Sequence, residues 1–171
     1  MTAAVVKTHL LGALVLLAGL ALVPWLAILL IGARTFDGGT GVRVAGILVT
    51  VAGFALNYAC ALTLAVRGRG TPVPMDPPTE FVATGLYRYL RNPMYIANAL
   101  LAFGIGLLLE SWTYLGYAVV LTVVMHVYVL FEERELKSRF GQTYLDYCAH
   151  VNRWIPRRPG RADTLAPGLS S

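Results

Sequence analysis

Long uncharged runs dominate this chain. When every Asp, Glu, Lys and Arg is marked, residues 8–33, 44–66, 92–109 and 111–131 are left without charge. A spanning helix needs about 20 mainly apolar residues, within a range of about 17–25. All four runs meet that need, the third at the short end. The pattern predicts an all-α integral membrane protein with four transmembrane helices. Only Glu110 and Ser111 stand at the junction of the third and fourth runs, so these two should form a tight antiparallel hairpin. The first run is longer than the roughly 7–15 apolar residues of a signal peptide, which favours a span over a leader.

Orientation follows from Lys and Arg, which gather in loops that stay in the cytoplasm. The loop between the second and third runs holds Arg67, Arg69, Arg88 and Arg91. The tail after the fourth holds Arg134, Lys137, Arg139, Arg153, Arg157, Arg158 and Arg161. The first connection has only Arg34 and Arg43. Both termini and the 67–91 loop are therefore expected on the cytoplasmic side. Lysine is scarce beside abundant Ala, Gly, Val and Arg, as in a GC-rich genome, which suggests a bacterial inner membrane.

Composition agrees. Of the 171 residues, 57% are hydrophobic and 13% charged, against roughly 25% charged in an average soluble domain. An ordinary soluble globule, a disordered chain, a coiled coil and a disulfide-rich module are all excluded. The net charge of +5 reflects the loop bias and attraction to anionic headgroups of membrane lipids. With no base-reading motif beside it, no nucleic-acid partner is expected. Cys60 lies in an apolar run and Cys148 in a polar tail, so they should not pair. His9, His126 and His150 are too scattered for a metal cluster, and no metal is expected.

Two polar clusters flank the third and fourth runs. The stretch 68–78 carries Pro72, Pro74, Pro77 and Pro78 and cannot be helix. A strand-like run precedes Gly85. Asn92-Pro93 then reads as a helix start, with Asn as cap and Pro at the first position. The amides of that helix start attract anions. Tyrosine and arginine there also suit a simple headgroup anchor. The second cluster is Glu132-Glu133-Arg134-Glu135. Successive helical side chains diverge by about 100°, so Glu132 and Glu133 cannot share one pocket. Tyr128, Glu132 and Glu135 share one face; His126, Val129 and Glu133 share another. A solvated helix end with an internal Glu–Arg pair is the plain alternative. His126 lies about 9 Å from Glu132 along the axis and is a functional candidate as an intramembrane histidine.

Beyond the fourth run, Leu136, Phe140, Tyr144, Tyr147, Val151 and Trp154 recur at helical steps. Gly141 should divide this stretch into two short helices. Trp154 with Arg153, Arg157 and Arg158 looks like a headgroup anchor. Residues 1–158 form one domain on this reading, and 159–171 a disordered tail. Gly104 and Gly106 suit close helix packing.

The two clusters together are recognisable. Gly85-Leu86-Tyr87-Arg88-Tyr89-Leu90-Arg91-Asn92-Pro93-Met94-Tyr95 resembles the G-x-Y-R-x-x-R-H-P-x-Y signature of the isoprenylcysteine carboxyl methyltransferase family. Glu132-Glu133 to Leu136, Phe140-Gly141, Tyr144, Tyr147, Val151 and Ile155-Pro156 are similar to its E-E-x-x-L…F-G-x-x-Y-x-x-Y…V-x-x-x-I-P tail. The resemblance covers residues 79–156. Related phospholipid N-methyltransferases and small-thiol methyltransferases share parts of it. It implies an integral membrane methyltransferase that uses S-adenosylmethionine and a prenylated or lipid-like acceptor, either a carboxylate or a thiol. It assigns Phe81, Val82, Tyr87, Arg88, Asn92, Pro93, Met94, Tyr95 and Glu132 to the cofactor. Arg91, Glu133 and His126 become the catalytic candidates, the last two as proton acceptors if the acceptor is an amine. Asn92 departs from the family's His and cannot titrate, which adds weight to the phospholipid N-methyltransferase branch. An NADPH-dependent membrane reductase and a non-enzymatic scaffold are the other classes to separate.

Overall fold

The computed structural model describes Leu14, residues 17–68 and residues 81–157. All of the expected proline-rich break at 68–78 except Gly68, the start of the first apolar run and the 159–171 tail lie outside these residues. Four helices are described. Helix α1 covers Ala18–Ile31, with a π-turn at Ala18–Leu22. Helix α2 covers Gly39–Arg67, α3 Pro93–Leu108 and α4 Trp112–His150. A 3-10 turn at Gly85–Arg88 precedes α3.

The strand-like run before Gly85 does not become a strand. Residues 81–84 have no ladder partner, and an isolated Thr35–Ser111 bridge is the one β-pairing among the described residues. Of the expected pair of short helices after the fourth run, the division at Gly141 is present, but the first is continuous with the fourth run. The chain continues through Phe140 as one helix, because Glu132 to Arg139 are mostly strong helix formers and nothing breaks them. The bend comes at Gly141, with φ 55° and ψ −128°, and the helix resumes beyond it.

Apolar length and small residues together build the bundle. Helix α2, at 29 residues, and α4, at 39, are long and apolar enough to cross a membrane. Their outer faces carry Leu48, Val51, Phe54, Val119, Val120, Val123 and Val124, all exposed. Such large apolar surfaces suit a lipid surround and not water. Helix α3 packs most extensively on α2, then on α4, and α1 leans on α4. A Cβ on Gly46 would sit 2.6 Å from the Leu108 nitrogen, and one on Gly53 2.8 Å from the Leu101 nitrogen. A Cβ on Gly104 would meet Thr50 Oγ1 at 2.5 Å, and one on Gly106 the Leu115 side chain at 2.7 Å. The glycine pair of α3 therefore serves helix contact. Within that contact, Asn57 Nδ2 donates to Asn98 Oδ1 at 2.7 Å, a polar link of the kind that joins helices in apolar surroundings.

The tight hairpin forms as the charge pattern predicts. Glu110 adopts a positive φ of 48°. Its backbone oxygen accepts from Phe36 N, and its carboxylate accepts from Gly38 N and from Arg43 Nη2 at 2.8 Å. The α1–α2 loop and the α3–α4 turn are thereby clasped at one end of the bundle. At the same side of α4, the Tyr114 and Tyr117 hydroxyls donate to the Leu20 and Gly19 carbonyls of the π-turn.

Candidate active site at the start of α3

At the opposite end, three segments meet: the approach to α3, the part of α4 beyond Phe131, and residues 151–157. Gly85, at φ 62°, lets the 3-10 turn close against Thr63 near the end of α2. Tyr87 then reaches two other elements. Its side chain faces the Cys60 thiol of α2, and its carbonyl accepts from Tyr147 Oη at 2.6 Å. Phe81 fills an aromatic cluster, with ring centroids 5.1 Å from Tyr147, 5.4 Å from Phe140 and 5.9 Å from Tyr144. Val82 is buried beside it in sequence.

Helix α3 opens with Pro93 buried and Asn92 at the cap position. The cap differs from expectation. Asn92 makes no side-chain bond to the first amides of the helix; its Nδ2 donates to the Arg153 carbonyl at 3.4 Å. The side chain is drawn away because 151–157 lies directly alongside. Arg91 N donates to Asn152 O at 2.9 Å, and Arg157 N donates to Tyr89 O at 3.0 Å.

The adjacent glutamates of α4 diverge as helical geometry requires. Tyr95 Oη donates to Glu132 Oε2 at 2.6 Å, and the Tyr128 ring lies 6.4 Å from that of Tyr95. Glu133 turns to the other side. Arg153 grips it in bidentate fashion, Nε to Oε1 at 2.9 Å and Nη2 to Oε2 at 2.7 Å. Arg91 Nη1 adds a contact to Glu133 Oε1 at 3.3 Å and donates to Cys148 Sγ at 2.9 Å. The ion pair is therefore long-range, unlike the internal pair that sequence proximity to Arg134 suggests.

Their electrostatics differ accordingly. Burial pushes the Glu132 carboxyl above the usual range; the Tyr95 hydrogen bond opposes this, and the charges of Glu135 and Glu133 add to it. Burial would raise Glu133 too, but Arg153 and Arg91 overcome it and hold that carboxyl below the usual range. Neighbouring acids pushed apart in this way are suited to different tasks.

The remaining candidates spread around this centre. Met94 is half-buried in the first turn of α3. Arg88 is exposed, its guanidinium 5.3 Å from the centroid of Tyr89. His126 faces away from Glu132; its ring lies 5.5 Å from that of Trp154. These two line a groove of about 370 Å³ with Thr122 and Val123. Sequence reading missed Arg153 and Tyr147 as members of the centre. The helical recurrence of Tyr144 and Tyr147 was visible, but no local pattern ties Arg153 to Glu133, 20 residues earlier.

The buried Arg91 Nε, Trp154 Nε1 and Thr84 Oγ1 have no hydrogen-bond partner among the described residues. Buried polar atoms are normally satisfied. The Arg91 donor, two residues before the start of α3, fits a polar ligand with acceptor oxygens.

This arrangement of a helical membrane-type bundle with a cluster of polar side chains at one end coincides with a family match. The phospholipid methyltransferase family matches residues 42–143, well over half of the chain, and the protein belongs to that family. Two curated relatives align with about half of it. A nickel-cobalt-cadmium resistance protein of Alcaligenes xylosoxydans xylosoxydans is 32% identical over 79 residues, 46% of this chain and 37% of its own. Methanethiol S-methyltransferase 1 of Bradyrhizobium diazoefficiens is 32% identical over 81 residues, 47% of this chain and 28% of its own. The aligned stretches thus span well under half of either relative.

Proposed function

We propose that this protein is a four-span membrane methyltransferase, with both termini in the cytoplasm of a bacterial cell. It uses S-adenosylmethionine to methylate a thiol or carboxylate carried on a lipid-like or prenylated molecule. The observation that carries this reading is the Tyr95–Glu132 pair. It places a half-buried carboxylate beside the start of α3, within the family-matched stretch. The methanethiol S-methyltransferase relative supports a thiol acceptor.

The residues present fit the cofactor. Glu132 would accept hydrogen bonds from ribose hydroxyls or the amino group. The start of α3 and the unpartnered Arg91 Nε would receive the carboxylate. Arg88 is exposed near the same turn and could approach from solvent. Phe81 and Val82 would bound the adenosine, and Tyr87, Pro93, Met94 and Tyr95 would line the space beside it. Tyr95 and Tyr128 offer ring faces to a cation. Bound S-adenosylmethionine supplies a methyl group already activated on its sulfonium. The chain's own contribution is then proximity, orientation and exclusion of water. A thiolate or carboxylate acceptor takes the methyl with no proton to move. Glu133 is saturated by two arginines, which leaves it poorly placed to accept a proton. His126 stands against Trp154 and would serve only an acceptor lying in that groove.

A second reading, methylation of an amine headgroup, is favoured by Asn92 in place of the His of the isoprenylcysteine carboxyl methyltransferase signature. Labelled methyl transfer by the purified protein to apolar thiols, carboxylates and amine lipids separates the two. Transfer to a thiol or carboxylate supports the first reading, and transfer to amines alone replaces it with the second. Transfer to none, with loss-free folding, contradicts both.

A further inference from the structure

Residues 151–157 recross the start of α3 and are fastened there at four points. Three are hydrogen bonds: Arg91 N to Asn152 O, Asn92 Nδ2 to Arg153 O and Arg157 N to Tyr89 O. The fourth is the bidentate Arg153–Glu133 pair, at 2.9 and 2.7 Å. Glu133 is 12% exposed in its side chain and Arg153 35%. An arginine fork of this kind fixes direction as well as charge. The same segment supplies Trp154, one wall of the groove with His126.

We propose that Arg153 is a positioning residue for the cofactor site. It neutralises Glu133 and straps 151–157 across Tyr89–Asn92, which sets the start of α3 for the ligand that Glu132 holds. This inference rests on the cofactor reading above. Arg153 has no need to touch the ligand. It acts through Glu133 and through the backbone on either side of Arg91. A headgroup anchor, the role its sequence setting suggests, would have a free guanidinium; this one is spent on a carboxylate inside the fold.

The groups facing Glu133 make the idea testable by pH. Arg91 and Asn92 face it from the approach to α3, and Arg153 from the strap. Tyr144 and Tyr147 face it from the far part of α4, and Glu132 is its neighbour. Without Arg153, less charge opposes burial, and Glu133 gains a proton at a higher pH than in wild type. The remaining Arg91–Glu133 contact, 3.3 Å long, then weakens as the solution is acidified, and with it the hold on the approach to α3.

The test measures S-adenosylhomocysteine affinity of the detergent-purified full chain at pH 7.5 and pH 5.5. Wild type, Arg153→Gln and Arg153→Lys are compared, with thermal unfolding as a folding control. Arg153→Gln should bind roughly tenfold more weakly at pH 7.5, the scale of a lost charge-assisted hydrogen bond. Its deficit relative to wild type should grow at pH 5.5. Arg153→Lys restores charge without the fork, and should fall between the two with a pH-independent deficit. Should Arg153→Gln not fold, the intermediate loss in Arg153→Lys decides the matter alone. Folded variants that bind as tightly as wild type at both pH values overturn this inference alone. Wild type that binds no S-adenosylhomocysteine overturns the cofactor reading, and this inference with it.

Discussion

Tyr95 and Glu132 lie 37 residues apart in sequence, yet their side chains meet at 2.6 Å. One comes from the first turn of α3 and the other from α4 just past its apolar run. The hydroxyl is the one direct hydrogen bond among the described residues that holds Glu132 in place. Tyr95→Phe removes it and leaves the carboxylate half-buried without a donor. Such a loss costs about 1.5–3 kcal/mol at a charged group. S-adenosylhomocysteine affinity should fall roughly tenfold by calorimetry, while helicity by circular dichroism stays as in wild type. Unchanged affinity would remove Glu132 from the site.

Glu132 and Glu133 should separate on acidification. Glu133 is held below the usual carboxylate range, so its stabilising pairing is fully present above the ordinary value and fades as pH falls through the lowered folded value. Glu132 is raised, so the fold favours its neutral form and acid costs no stability there. Cofactor affinity should therefore decline at a higher pH than thermal stability does. Parallel pH series of calorimetric affinity and unfolding temperature check this. Coincident declines would contradict the assignment of separate tasks.

The α2–α3 contact should tolerate no added carbon. Gly104→Val would drive its branch into the backbone of Thr50, where even a Cβ falls within 2.6 Å of the nitrogen. Overpacking of this kind costs about 1–3 kcal/mol or more, read as a lower unfolding midpoint in detergent. Gly116 provides the contrast, with nothing within 4 Å of a built Cβ. Gly116→Ala should be neutral or stabilising by up to about 1 kcal/mol. A destabilised Gly116→Ala beside an unaffected Gly104→Val would overturn the packing described.

The bend at Gly141 depends on backbone freedom. Its φ of 55° with ψ of −128° is a combination that side-chain-bearing residues rarely adopt. Gly141→Ala should destabilise by about 1–3 kcal/mol, although no atom crowds the position. It should also loosen the Phe81–Tyr147 cluster beyond the bend. Fluorescence of the aromatic residues and the unfolding midpoint together report on this.

Much of the fold was legible because charge spacing is a local property. The uncharged runs anticipate α2, α3 and the apolar part of α4, and the two-residue junction at Glu110 anticipates the hairpin. Helical angles alone separate Glu132 from Glu133. The partners are another matter. Glu132 finds Tyr95 and Glu133 finds Arg153 only once distant segments fold together, and no spacing rule encodes either pairing. Asn92 shows the same limit. Its cap position is plain in sequence, but its side chain answers to Arg153, whose proximity is tertiary. The strand-like run before Gly85 failed for a related reason, since a strand needs a neighbour and Phe81 finds an aromatic cluster.

The central claim is that the polar cluster at the start of α3 binds S-adenosylmethionine through Glu132. Its most direct test is calorimetric titration of the detergent-purified protein with S-adenosylhomocysteine and, separately, with NADPH, for wild type and Glu132→Gln. The account predicts saturable binding of S-adenosylhomocysteine alone, lost in the folded variant. Binding of NADPH in its place, or S-adenosylhomocysteine binding untouched by Glu132→Gln, would contradict it.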